Sequence, residues 1–378
     1  MMGKRILIIH HSLDFGGTET QLIHHINHLN KNNDVILFLY YSSALTLQRA
    51  NQLKNVEVYF LDKRPGVFGT FTTLYRIKRI VKKQDIDVVI TYLVGTNIAG
   101  LLISRLCGIK KIVWGLRVSF IEPKLLGISG RLLEYIFRYL SKYVDLIISN
   151  SYSALNGYEN IGLRAKKHRV IPNGVDTTTF RKNSSYRAIA RSIFGVSEKQ
   201  LVIGCVARLV PWKGYETFLH AAKEFLEVFP STKFIIIGSG DEQYVKSLNN
   251  TQALLDIPRS DIVWLGQRSD VSVLLNGFDI FCLLSTSGEA LSNSLLEAMA
   301  TKIPVVATNI GDSAHVVDQY GHIISARNPD ALVDAWKDIL NKPEETQHGI
   351  KLGVNTIIFD YNLDLNIERF CELAIQDT

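Results

Sequence analysis

The sequence predicts two parallel α/β domains of the Rossmann type, one after the other. Three observations predict this. Short continuous apolar runs alternate with helical stretches, the pattern of strands buried on both faces. The alternation stops at a polar stretch, 177–187, and restarts at LVIGCVAR, 201–208. The 378 residues are 47% apolar and 21% charged, which suits two ordinary cores and excludes disordered, collagen-like or disulfide-scaffold chains.

The elements follow in order. A strand at 5–11 leads into a helix from about Thr18 to Lys31. Strands at 34–40, 56–61, 86–92, 111–117 and 145–151 come next, with helices near 71–83, 97–107 and 130–142 between them. A short helix and HRVIPNGVD, 168–176, close the first half. The second half runs strand 201–208, helix 215–228, strands 233–240, 261–266 and 279–285, helix 292–301 and strand 303–309. Domains are therefore expected at 1–175 and 176–358, with a helix in 359–378 packing back on the first. Ligands of such domains sit at the carboxyl ends of the strands.

No apolar run approaches the roughly 18 residues of a membrane span. The opening apolar run is closed by histidines and reads as a strand, too short for a signal peptide. Four scattered cysteines without CxxC spacing suit a reducing compartment, so a cytoplasmic protein is expected.

Charge divides the chain. Residues 1–176 carry 24 Lys+Arg against 12 Asp+Glu, whereas the rest carries 18 against 24. The positive excess gathers in 71–83, where Arg76, Lys78, Arg79, Lys82 and Lys83 share a helix with Phe71, Leu74, Ile77, Ile80 and Val81. A second helix, 131–146, is rich in aromatics. Such helices suit an anionic membrane surface, a lipid-linked anionic substrate or nucleic acid. The plain alternative is a solvated face whose apolar side packs on the protein's own sheet.

The strand ends carry the chemistry. Gly16 and Gly17 stand where the chain enters the first helix, so backbone amides there can approach an anion. The spacing is not GxGxxG, which excludes the dinucleotide fingerprint. Arg208 and Lys213 flank a strand–loop junction and suit a diphosphate. The run IIIGSGDE, 235–242, reads as either a nucleotide loop or a strand-ending turn. In LLSTSGEALSNSLLEAMA, 283–300, Glu289 lies in a loop, Ser292 stands at a helix start and Glu297 falls in that helix's second turn. First-turn amides near Leu291, Ser292 and Asn293 would face a phosphate, with the two carboxylates beside it ready to accept sugar hydroxyls. Asp85-Ile86-Asp87 reads as a surface turn rather than a metal-binding DxD, and His24 and His28 read as helix-surface or core residues. No metal is expected.

Glu289 and Glu297, seven residues apart, together with GGTE (16–19), VWGLR (113–117), IPNGVD (171–176), VARLVPWKG (206–214) and PVVATNIGDSA (304–314), resemble the retaining glycosyltransferases of family 4, with the E-x7-E pattern and the GT-B fold. The resemblance runs along nearly the whole chain. It implies two Rossmann-like α/β domains facing each other across a cleft, an acceptor held by the first and a nucleotide sugar by the second. It implies that Arg208 and Lys213 bind the donor diphosphate and Glu297 the ribose hydroxyls, and that Glu289 contacts the transferred sugar. Gly17 would give its amide to the phosphate, the loop of Gly266, Gln267 and Arg268 would lie against the base, and Arg117 becomes a candidate for the acceptor or donor sugar.

Departures from the family pattern are Ala290-Leu291-Ser292-Asn293 where GFPN is common, Thr301-Lys302 where Cys-Gly is common, and His315 where a glutamate is common; the first leaves open a change in the loop or in the sugar preferred, and none removes the expected phosphate or ribose contacts. The activity implied is transfer of a hexosyl or N-acetylhexosaminyl group, with retention, from a nucleotide sugar (a UDP-sugar) to a lipid-linked or oligosaccharide acceptor. The setting implied is the synthesis of O-antigen, lipopolysaccharide, capsule or exopolysaccharide. No cofactor beyond the co-substrate is expected. The basic first half then reads as facing the inner surface of an anionic membrane, peripherally, and not nucleic acid. Alternatives are a nucleotide-sugar epimerase or phosphorylase on the same fold, or a non-catalytic partner subunit; an NAD-dependent oxidoreductase is disfavoured by the missing fingerprint.

Overall fold

The computed structural model describes residues 3–14, 16–62, 66–117 and 127–376. It divides into two compact units, Met1–Asn173 with Asp364–Thr378, and Gly174–Leu363. The changeovers fall a few residues from the expected 175/176 and 358/359, because the chain between Gly174 and Leu363 packs as one body.

The first unit runs β1 (Arg5–His10), α1 (Gly17–Leu29), β2 (Asp34–Leu39), α2 (Ala44–Ala50), β3 (Glu57–Phe60) and α3 (Gly66–Val81). It continues with β4 (Val88–Tyr92), α4 (Val94–Cys107), β5 (Lys111–Leu116), α5 (Ile128–Ser141), β6 (Leu146–Ser149), α6 (Tyr152–Asn160) and β7 (Lys167–Val170). The seven strands are parallel, in the order β3-β2-β1-β4-β5-β6-β7. The order reverses between β1 and β4, the switch point where such sheets open a crevice at their carboxyl edge.

Alternate residues of each apolar strand serve opposite faces, which is why the runs are continuous rather than alternating. Leu7, Ile9, Ile36, Phe38 and Val89 pack under α3 and α4. Trp114 stacks on Phe137 of α5, ring centroids 4.8 Å apart.

The second unit runs α7 (Ser184–Phe194), β8 (Val202–Val206), a 3-10 turn (Pro211–Lys213), α8 (Tyr215–Val228), β9 (Lys233–Ile237), α9 (Glu242–Leu254) and β10 (Ile262–Trp264). Then come α10 (Val271–Leu275), β11 (Ile280–Leu283), α11 (Asn293–Ala300), β12 (Val305–Thr308), α12 (Ser313–Val317), β13 (His322–Ile324), α13 (Pro329–Asn341) and α14 (Pro343–Phe359). Its six parallel strands lie in the order β10-β9-β8-β11-β12-β13. The last helix, α15 (Leu363–Ile375), begins at the boundary and belongs to the first unit. There Lys4 Nζ donates to Ile375 O at 2.6 Å, and Lys111 Nζ reaches Leu373 O and Gln376 O, so two lysines satisfy carbonyls at the helix end.

The stretch expected to be a polar join contains α7. Asn183 caps it by accepting from the amides of Ser185 and Tyr186 at 2.9 and 3.2 Å. Arg191, buried, satisfies the backbone carbonyls of Ser197 and Gly277 and pairs with Asp279 at 3.2 Å. A charged residue on the inner face hides the helix from a hydrophobic pattern.

Candidate functional site

In the second unit the loops after β8, β11 and β12 are stitched together at the carboxyl ends of the strands. Gly214 sits at φ +72, and a Cβ there would lie 2.0 Å from Leu284 O, so only glycine lets the β8 loop abut the end of β11. The Thr286 amide then donates to Trp212 O at 2.7 Å, and the Thr308 hydroxyl donates to Ser285 O at 2.6 Å.

This stitching brings Lys213 onto Glu289. Its Nζ pairs with Glu289 Oε2, and the Ser285 hydroxyl donates to the same oxygen at 2.7 Å. Both charged side chains are nearly buried, 14% and 10% exposed. The sequence kept these residues in separate roles; the structure joins them and adds Ser285, whose only signal was its place directly after a strand.

Arg208 follows β8 and is exposed, with no hydrogen bond or ion pair among the described residues. It stands as an unneutralised cation at this edge. Ser292 occupies the N-cap of α11 but supplies no capping bond, because its hydroxyl lies 3.1 Å from that of Ser294. Leu291 is buried and Asn293 opens the helix. Glu297, one turn on, is half-buried, and among the described residues no side chain donates to its carboxylate. Burial alone pushes its pKa up to about 7. A carboxyl of this kind gains from any ligand that brings hydroxyl donors.

The remaining second-unit candidates are closed by local bonds. Gly266 turns at φ +66, Gln267 accepts from the Ser239 hydroxyl at 3.1 Å, and Arg268 grips Asp270 with two bonds of 2.9 and 2.7 Å. The glycines of the IIIGSGDE run serve packing: a Cβ on Gly238 or Gly240 would lie 1.9 Å from Ala207 O or Leu209 O. The run prolongs the pairing of β9 with β8 through a Leu209–Gly240 bridge, and Asp241 then caps α9 by accepting from the amides of Gln243 and Tyr244.

In the first unit Gly16 caps α1 in extended geometry, with Glu19 folded back over it, and Gly17 starts the helix, exposed. Asp14 anchors the loop. Burial opposes its ionisation, but the hydroxyls of Ser43, Ser12 and Thr46 and the nearby Arg49 hold its carboxyl below the usual range. Asp87 accepts the Arg5 amide at 2.8 Å on the amino edge of the sheet, away from the strand ends where ligands dock.

Arg117 differs from expectation. It is buried, donates to Asn173 Oδ1 at 2.6 Å, and lies over the rings of Tyr92 and Phe370 at 5.8 and 5.2 Å. Phe370 belongs to α15, so the chain's last helix covers this arginine. Around it stand buried polar groups that the sequence reading placed in no site. His25 stacks on Phe370 at 4.0 Å, with Nδ1 3.1 Å from the Tyr92 hydroxyl. His10 donates from Nδ1 to Ser12 O at 3.0 Å, and burial lowers its pKa to about 4. Its Nε2, like Arg117 Nε, is buried without a partner among the described residues.

Two doubly wound parallel α/β units, one after the other, are the domains of the GT-B fold. Residues 15–179 match the family model described as Glycosyltransferase Family 4, and residues 187–353 match the model for glycosyl transferases group 1. The chain belongs to this glycosyltransferase family. An Escherichia coli relative named UDP-Gal:alpha-D-GlcNAc-diphosphoundecaprenol alpha-1,3-galactosyltransferase is 25% identical over 81% of this chain and 80% of its own length. A GDP-mannose-dependent phosphatidylinositol monomannoside mannosyltransferase of Mycolicibacterium smegmatis is 24% identical over 72% of each chain. The structure of Anabaena HepE in complex with UDP and glucose has the same fold, with a TM-score of 0.86 at 21% identity over 97% of this chain and 98% of that one.

Proposed function

We propose that the protein moves a sugar from a UDP-sugar to a hydroxyl of a lipid-linked glycan, with retention, in the synthesis of a surface polysaccharide at the inner face of the cytoplasmic membrane. The observation that carries the reading is Glu297. A carboxyl raised to about 7 by burial, with no side-chain donor among the described residues, suits a pair of ribose hydroxyls. Arg208, exposed after β8 and unpaired among the described residues, suits the diphosphate, and the Escherichia coli relative's named UDP-sugar donor and diphosphoundecaprenol acceptor support the choice of substrates.

The reaction breaks a glycosyl–phosphate bond. Cations and helix amides placed on the leaving diphosphate stabilise the charge it gains. In this reading Lys213 exchanges part of its pairing with Glu289 for the phosphate, and the freed carboxylate accepts hydroxyls of the sugar. Retention follows if the acceptor attacks from the leaving-group side, with the departing phosphate taking the acceptor proton. No metal is needed for these steps.

The test is thermal unfolding with UDP, GDP, ADP and NAD. UDP at about 100 times its dissociation constant should add roughly 2.7 kcal/mol, and Glu297→Ala should abolish the gain. Stabilisation by GDP alone replaces the donor, and stabilisation by NAD alone overturns the transferase site.

A further inference from the structure

The second unit holds a pocket that the transfer reading does not use. Helices α8 and α13 pack on one face of the sheet, opposite α11, and Phe218 and Phe225 of α8 meet the Trp336 ring of α13 edge-on at 5.9 and 5.2 Å. Their amino ends come together beside the loops after β8, β11 and β13. Between them lies a pocket of about 390 Å³, lined by Pro211 and Gly214 after β8, Thr286 after β11, and Arg327 and Pro329 after β13. That volume falls in the range of small-molecule sites.

The side chains on its wall are short of partners. Thr217, in the first turn of α8, lines the pocket at 8% exposure, and its hydroxyl has no partner among the described residues. A hydroxyl buried that far without a partner costs free energy, which a ligand oxygen relieves. His220, one turn along α8, and Arg327 also line the pocket, and neither has a hydrogen bond or ion pair among the described residues. The two helix ends differ as well. Asn328 caps α13 by accepting from the Ala331 amide at 3.0 Å, whereas α8 has Gly214 at its cap and no side chain to satisfy its first amides. Glu216 is the carboxylate on the wall, and it is turned toward α9, accepting from the Tyr244 hydroxyl at 2.9 Å.

These features select the ligand. An unpaired guanidinium, an imidazole, a hydroxyl and open amides suit the oxygens of a phosphate. The volume leaves room beside that phosphate for a body of sugar size. Glu216 keeps acceptor capacity beyond its bond to Tyr244 and suits sugar hydroxyls. A nucleotide is disfavoured, since no Phe, Tyr or Trp lines the pocket for a base to stack on.

We propose that this pocket binds a sugar monophosphate, with Arg327, His220 and the Thr217 hydroxyl on the phosphate and Glu216 on the sugar, and that its occupant tightens donor binding. The route is the turn Pro211–Lys213. Pro211 and Thr286 belong to the pocket wall, and the Thr286 amide donates to Trp212 O at 2.7 Å, next to the lysine that pairs with Glu289. A ligand that holds this wall lowers the cost of ordering Lys213 around a diphosphate, which couples the two sites. The pocket goes beyond the transfer reading, and only its effect on the donor rests on that reading.

The test is calorimetry of the full chain with ribose 5-phosphate, with and without saturating UDP, against ribose and inorganic phosphate. Ribose 5-phosphate should bind about tenfold or more tightly than either part alone. Arg327→Ala should weaken it by roughly tenfold and Thr217→Val by roughly fivefold. Melting temperatures should stay unchanged, because Arg327 faces solvent and valine removes only an unpartnered hydroxyl. Arg259→Ala, an exposed arginine elsewhere in the same unit, serves as the control and should bind like the wild type. Ribose 5-phosphate should tighten UDP binding roughly fivefold in the wild type and not in Arg327→Ala.

Absence of ribose 5-phosphate binding overturns the proposal, and so does equal binding of inorganic phosphate. Displacement of the probe by UDP, or its loss in Arg208→Ala but not in Arg327→Ala, places it in the donor site and overturns the proposal too. Binding that leaves UDP affinity unchanged overturns the coupling. Failure of UDP to bind at all is failure of the donor reading, and the titration without UDP still tests the pocket.

Discussion

Two arginines follow central strands at the carboxyl edges of the two units, and they have opposite fates. Arg117, after β5, is buried against Asn173, Tyr92 and Phe370. Arg208, after β8, is exposed and unpaired among the described residues. In sequence they carry the same signal, a cation at a strand end. The difference comes from α15, which returns from the far end of the chain and lays Phe370 over the first arginine and His25. A strand-end cation becomes a ligand-binding candidate only where no later segment covers it.

The contrast extends to the buried titratable groups. The first unit holds His10 neutral, its pKa lowered to about 4 by burial, and His25 well below the usual value for the same reason. The second unit holds Glu297 raised to about 7. The one edge resists gaining a positive charge, and the other resists gaining a negative one until a donor arrives.

The largest expected effect is on transfer. Arg208→Ala should lower kcat/KM by roughly 100- to 1,000-fold with an unchanged melting temperature, because the side chain has no partner among the described residues to lose. A stability loss without an activity loss would reverse the roles of the two arginines. Arg117→Ala should do the opposite in denaturant melts, with a loss of about 3 kcal/mol from the broken buried network. An unchanged midpoint with abolished transfer would instead make Arg117 a substrate contact.

The pH dependence sharpens the same contrast. For Glu297 the folded pKa, about 7, exceeds the ordinary 4.5, so the folded state holds more protons between those values. Its contribution is therefore lost as pH rises through that window, by up to about 3 kcal/mol. For His10 the folded pKa, about 4, lies below the ordinary 6.5, so the unfolded state holds more protons and stability is lost as pH falls through that range, by a similar amount, up to about 3 kcal/mol. Denaturant midpoints against pH should show Glu297→Gln removing the first slope and leaving the second. A variant curve parallel to the wild type would refute the assignment.

Ligand binding gives a smaller effect. Ribose hydroxyls favour the ionised Glu297, so UDP affinity measured by calorimetry should weaken by up to about tenfold for each pH unit below about 7. In Glu297→Gln that dependence should be flat. The smallest effect belongs to Arg268→Ala. Its partner Asp270 is two residues away and both face solvent in part, so UDP affinity should shift by no more than roughly twofold. A large loss would show that Arg268 leaves Asp270 for the nucleotide.

Much of this molecule was determined by local sequence. Continuous apolar strands can only be buried on both faces, so β1, β2, β4, β5 and β8 were legible as parallel-sheet strands, and Glu289 and Glu297 as flanking a helix start. Helix α7 was not legible, because its inner face is sealed by Arg191 bonding to carbonyls distant in sequence. The Lys213–Glu289–Ser285 cluster, the burial of Arg117 and the pocket between α8 and α13 were likewise decided by tertiary structure. A sequence specifies which side chains share a helix face or a strand end, since that follows from the 3.6 and 2.0 periods of the backbone. Which face is covered, and by what, depends on segments tens to hundreds of residues away, and only the packed chain brings those together.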